Sequence, residues 1–102
     1  MDYYKEEVQK HLLDGIRPSD QRQFVKAYDK AVDSLNVFEE KHKNRFPSLD
    51  IAEVVTFASH DQKFGFRIKF DDTIGDKERP ILEREIETII RTCIDRNTFG
   101  YL

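Results

Sequence analysis

Lys63-Phe64-Gly65-Phe66-Arg67-Ile68-Lys69-Phe70 alternates polar and apolar residues without a break over eight positions. Side chains along a strand point to opposite faces in turn, so this pattern predicts a strand with one aromatic face and one basic face. Just upstream, residues 51–58 carry Val54, Val55, Thr56 and Phe57, residue types that favour extended structure. The polar stretch Ser59-His60-Asp61-Gln62 between the two reads as a turn, and the pair reads as an antiparallel hairpin. With that turn length, Phe57 pairs with Phe64, Val55 with Phe66, Glu53 with Ile68 and Ile51 with Phe70, and the large apolar groups share a face. Glu53 is the single misfit. The opposite face then carries Ala52, Val54, Thr56 and Ala58 against Lys69, Arg67, Gly65 and Lys63.

The aromatic face of so small a sheet needs a cover, and amphipathic helices supply it. Residues 2–14 repeat Tyr4, Val8 and Leu12 every four positions, with His11 beside them and Asp2 as a cap. Gly15 followed by Ile16 predicts a left-handed stop, and Pro18 blocks continuation. Ser19 or Asp20 opens a second helix, whose stripe of Phe24, Tyr28, Ala31, Leu35 and Phe38, widened by Val25 and Val32, runs to about Asn44 before Pro47. Its length, roughly 36 Å at 1.5 Å per residue, is large beside a radius of gyration of about 13 Å for a chain of this size. Such a rod spans or overhangs the domain, which favours contact with a second chain. The last helix starts near Pro80, buries Ile81, Leu82, Ile86, Ile89, Ile90, Cys93 and Ile94, and closes over 97–100. The expected fold is one α+β domain over 1–102, in the order α-α-β-β-α.

The bulk numbers bound the function. The chain has 102 residues, 38% hydrophobic and 36% charged, with eight phenylalanines, four tyrosines and no tryptophan, which suits a folded domain with one modest core. A net charge of −3 argues against a protein whose main task is gripping phosphate backbones. The lone Cys93 forms no intrachain disulfide, the acidic N-terminus is no signal peptide, and no long apolar run occurs. A soluble, cytoplasmic protein without membrane contact is expected.

Several segments carry chemistry on a first look. The strand at 63–70 shares its basic, glycine and aromatic elements with the RNA-recognition submotif, but it has one residue too many before the last aromatic and two strands where that family needs four. Asp71-Asp72-Thr73-Ile74-Gly75-Asp76 suggests a calcium loop, yet with Gly75 at the sharp turn Phe70 and Ile81 fall where carboxylates are required. His11, His42 and His60 are too scattered for a metal site, and Cys93 lies in an apolar stripe without a base. No metal, cofactor or catalytic residue is expected, and an enzyme is not. The remaining surface is the outer hairpin face: Lys63, Gly65, Arg67 and Lys69, with Val54 and Thr56 opposite. A secondary basic patch, Lys41, His42, Lys43 and Arg45, sits at a helix C-terminus, where cations offset the helix dipole.

The expected function is a small intracellular interaction module (an adaptor, inhibitor or regulator) that binds another protein through the outer face or the edge of the hairpin. A nucleic-acid binder using the basic face, and a dimer holding a small anion, are the alternatives. Because a lone hairpin is marginal and exposes two unpaired edges, a homodimer with a four-stranded sheet is also expected.

Overall fold

The computed structural model describes residues 10–60, 63–94 and 100–101. Its described residues begin with a helical turn, 10–13 (α1), followed by α2 (Pro18–His42), a single turn α3 (Ile51–Val54), β1 (Val55–His60), β2 (Lys63–Ile68), α4 (Arg79–Cys93) and a short β3 (Gly100–Tyr101). The expected α+β class and α-α-β-β-α order hold, with a helical turn and a third strand added. Tyr4, Val8 and the Asp2 cap of the first helix, the Asp61-Gln62 turn, and residues 97–99 of the expected closing segment lie outside the described residues.

α2 is the structural axis. α2 opens at Pro18 rather than at Ser19 or Asp20, with Arg17 at the cap position, and the missing N–H of Pro18 costs nothing there. Phe24, Tyr28, Ala31, Val32, Leu35 and Phe38 are buried at helical spacing. Twenty-five residues give a rod of roughly 37 Å, and the molecule measures 42 × 22 × 19 Å, so the rod lies along the long axis without overhanging it. α4 runs antiparallel beside it: Ser34 Oγ is 3.8 Å from Cys93 Sγ at one end, and His42 Nε2 is 3.2 Å from Glu85 Oε2 at the other. Of the expected α4 stripe, Leu82, Ile86, Ile90 and Ile94 are buried, Ile89 and Cys93 are half-buried, and Ile81 is 62% exposed. Ile81 lies in the first turn of α4, outside the buried stripe.

The start of the expected first strand is a helical turn. Asp50 accepts the Ala52 N–H at 3.0 Å on its side chain, Glu39 Oε1 accepts the Ile51 N–H at 2.9 Å, and the N–H groups of Glu53 and Val54 return to Asp50 O. These bonds satisfy the first donors of a turn, which outweighs the β preference of Val54. Glu53, the misfit in a strand, becomes an exposed helical residue.

In the β1–β2 register the partner of each residue is displaced by two residues from expectation. Val55 lies opposite Ile68, Phe57 opposite Phe66, Ser59 opposite Phe64 and His60 opposite Lys63. The pairing extends as far as His60 and Lys63. A shift by two leaves every side chain on its predicted face, so the aromatic side still turns inward. Phe64 is fully buried, stacking on Phe57 at 5.6 Å and meeting Phe24 edge-on at 5.6 Å, while Phe57 meets Tyr28 at 5.4 Å. Aromatic pairs of this geometry each contribute about 0.5–1.5 kcal/mol beyond the area they bury.

β3 lies parallel to β2, pairing Gly100 with Lys63 and Tyr101 with Phe64, so β2 is central in the order β1-β2-β3. At the α1–α2 junction, Gly15 and Ile16 donate to Leu12 O and Leu13 O at 3.1 and 3.0 Å. Gly15 does not adopt the expected left-handed conformation. It is needed for space, since a Cβ there would stand 2.4 Å from Ser59 Oγ and 2.7 Å from the Ser59 carbonyl carbon.

Candidate partner-binding face

The outer sheet face is built by pairs whose backbones hydrogen-bond to each other: Thr56 with Arg67, Ala58 with Gly65, and His60 with Lys63. The Lys69 N–H donates to Val54 O at 2.9 Å and carries the ladder one step further. Lys63, Arg67 and Lys69 are all exposed and fall on the same side of the strand, as alternation requires. Between them the surface is low, because Ala58 and Gly65 raise little or no side chain; Thr56, Ala58, Gly65 and Arg67 line a shallow concavity. No carboxylate is placed on this face by the register. One expected member is misplaced: Val54 belongs to α3 and is 7% exposed, turned to the core rather than to the outer face. Helix geometry at 51–54 breaks the strand alternation that would have exposed it.

The cations of the outer face have no ion-pair partner among the described residues, in contrast to basic groups elsewhere. Arg79 is clamped in the 71–76 loop, donating to Ile74 O at 2.9 Å and Asp71 O at 3.0 Å with Asp72 and Asp76 nearby. Arg91 donates to Glu87 at 3.0 Å and lies over the Phe66 ring, 5.4 Å from its centroid.

The secondary basic patch is dispersed in the same way. His42 lies against the Phe38 ring at 4.6 Å and reaches Glu85; Arg45 Nη2 is 3.6 Å from Glu78 Oε1; Lys43 Nζ donates to Leu49 O at 3.4 Å. Lys41 is exposed on the last turn of α2. These contacts tie the end of α2 to α4 and to the following loop, so the group acts mainly as a structural joint.

In the acidic loop, the Asp71 carboxylate accepts bonds from the Thr73 hydroxyl and, at 3.0 Å, the Thr73 N–H, which hold its pKa below the ordinary carboxylate value with a smaller contribution from Arg79. The Thr73 hydroxyl proton is committed to Asp71, so Ser48 Oγ donates to Thr73 Oγ1 at 2.5 Å. Among the described residues, no group of three or more His, Cys, Asp or Glu side chains is placed to hold a metal, and no helix is long and apolar enough to cross a membrane.

Sequence reasoning missed a second feature of β2. Glu83, Glu87 and Arg91 of α4 stand across a groove from Phe66 and Ile68. Their spacing of four residues marks one flank of α4, but nothing in the pattern says which strand that flank meets. The chain matches no protein-family model, no curated protein and no solved structure.

Proposed function

We propose that this chain is a small, non-enzymatic, cytoplasmic interaction module that binds an acidic protein partner through the outer face of its sheet. The observation that carries the reading is the row Lys63, Arg67 and Lys69: exposed cations without ion-pair partners among the described residues, beside a low surface at Ala58 and Gly65, on a strand held rigidly from behind by the Phe24, Tyr28, Phe57 and Phe64 cluster. Complementary charge on a rigid platform speeds encounter and selects partners. Nucleic acid is the alternative polyanion, and the net charge of −3 weighs against it.

The test is an NMR titration of labelled protein with poly-glutamate, with single-stranded DNA and with inorganic phosphate. Poly-glutamate is expected to shift Thr56, Lys63, Gly65, Arg67 and Lys69. The double reversal Arg67→Glu/Lys69→Glu should weaken that binding about tenfold or more and leave Tm nearly unchanged, since both side chains are exposed. Binding that survives the reversal unchanged rules out this face. Tighter binding of DNA, falling steeply with salt, would select the nucleic-acid reading, and phosphate alone shifting these residues would select a small anion.

The homodimer belongs to the same proposal, placed on the helical layer, where Val37 is 68% and Ile81 62% exposed. Light scattering should give twice 12.1 kDa, and Val37→Lys should return the mass to that of one chain; a wild-type mass of 12.1 kDa rules the dimer out.

A further inference from the structure

The outer face is divided lengthwise. Its cations stand along β2 and just past its end, at Lys63, Arg67 and Lys69, while β1 contributes Thr56 and Ala58. Ala58 lies directly opposite Gly65, so the middle of the face is a low saddle beside a basic row. Apart from half-buried Gly65, all of these residues are exposed. The row has a definite end. Past Lys69 the surface turns into a hollow lined by Asp50, Glu53 and Asp71, which repels further acids. From Lys63 to Lys69 the basic row is roughly 20 Å long at the rise of a strand.

The backbone decides which partner shape fits. In a sheet the N–H and C=O groups lie in the plane of the ladder, as they do between Thr56 and Arg67 and between Ala58 and Gly65. A peptide laid across the face therefore finds no main-chain partner on the saddle. An extended segment would lose water from its own N–H and C=O groups there without compensation. A helix satisfies those groups internally and seats closely where the side chains beneath it are short. We propose that the outer face receives an acidic amphipathic helix of about twelve residues from the partner, lying along the strands with its apolar stripe on the saddle. Carboxylates at positions n, n+7 and n+11 share one flank of such a helix, the second and third standing roughly 10 and 16 Å from the first. Long lysine, arginine and glutamate side chains span what remains to Lys63, Arg67 and Lys69. The proposal rests on the outer face being the partner-binding surface and adds the shape and the charge spacing of what it binds.

Three capped peptides of equal net charge, each titrated into the full labelled chain, test it. The first is a stapled helix with glutamate at n, n+7 and n+11 beside a leucine stripe. The second has the same composition and staple, with the glutamates scattered around the helix. The third keeps the order of the first but has a central proline in place of the staple. The first peptide should bind and shift Thr56, Ala58, Gly65 and Arg67, and the other two should bind about tenfold more weakly or worse. Ala58→Gln raises the saddle at an exposed position without changing charge. It should weaken the first peptide about tenfold and leave poly-glutamate binding and Tm nearly unchanged. If all three peptides bind alike, or if Ala58→Gln leaves the first peptide's affinity intact, the helix seat is refuted while acidic capture by the outer face survives. If neither the peptides nor poly-glutamate bind, both fall. Shifts of the same residues on diluting the protein alone would mean that a second copy covers the face, and would overturn the proposal. Single-stranded DNA that binds this face more tightly than the first peptide would overturn it as well.

Discussion

Two residues show how little space or charge the architecture leaves to choice. Gly15 abuts Ser59 so closely that a methyl group there would collide with backbone as well as with side chain, and Ser59 Oγ also donates to Leu12 O across the same junction. Gly15→Ala should therefore destabilise the fold by about 1–3 kcal/mol, the usual cost of overpacking, read from urea unfolding. An unchanged midpoint would mean that the junction is loose. Asp71 shows the electrostatic counterpart. Its bonds from Thr73 favour the charged carboxylate in the folded state, so its pKa there is depressed. A depressed folded pKa gives a stabilising contribution that is present above the ordinary carboxylate pKa and lost as pH falls through the folded value. Carboxyl carbon NMR should find Asp71 titrating below the ordinary aspartate value, and Thr73→Val should bring it back towards that value.

At the scale of elements, the informative case is α3. Asp50 followed three residues later by Glu53 is a helix-start signature, and it stood in a segment whose Val54, Val55 and Phe57 favour a strand. Both tendencies are expressed, one after the other: a helical turn through Val54, then β1 from Val55. The turn prevails locally because Glu39, from the last turn of α2, supplies a second acceptor to its first N–H. Asp50→Ala should cost about 0.5–2 kcal/mol in thermal or urea unfolding. Combining it with Glu39→Gln in a double-mutant cycle should reveal coupling, because the two carboxyl groups serve adjacent donors. Strict additivity would show that each acts alone.

At the scale of the molecule, α2 and the sheet are joined by one aromatic cluster, Phe24, Tyr28, Phe57 and Phe64. Phe64 is at its centre and has no exposed surface, so Phe64→Ala should cost about 3–5 kcal/mol, a large fraction of the stability of a domain this small. Arg67→Glu/Lys69→Glu, on the other side of the same strand, should leave stability nearly intact, because neither cation has an ion-pair partner among the described residues. Comparing the two variants by urea unfolding tests the division of β2 into a supporting face and a binding face. Comparable losses of stability would contradict it.

Periodicity alone was enough to define the inward aromatic face, the outward cations Lys63, Arg67 and Lys69, and the two amphipathic helices, because alternation of two and of about 3.6 is a property of the backbone itself. The two-residue register shift left the faces intact for the same reason. Tertiary packing decided what no local pattern encodes. Asp50 and Glu39 together turned Val54 inward; the α2–α4 contact absorbed His42 and Arg45; and the return of Gly100–Tyr101 gave β2 a second neighbour at Lys63 and Phe64. A two-residue strand has no period to read, and the partner of a charged side chain depends on distances across the fold, which only the assembled chain determines.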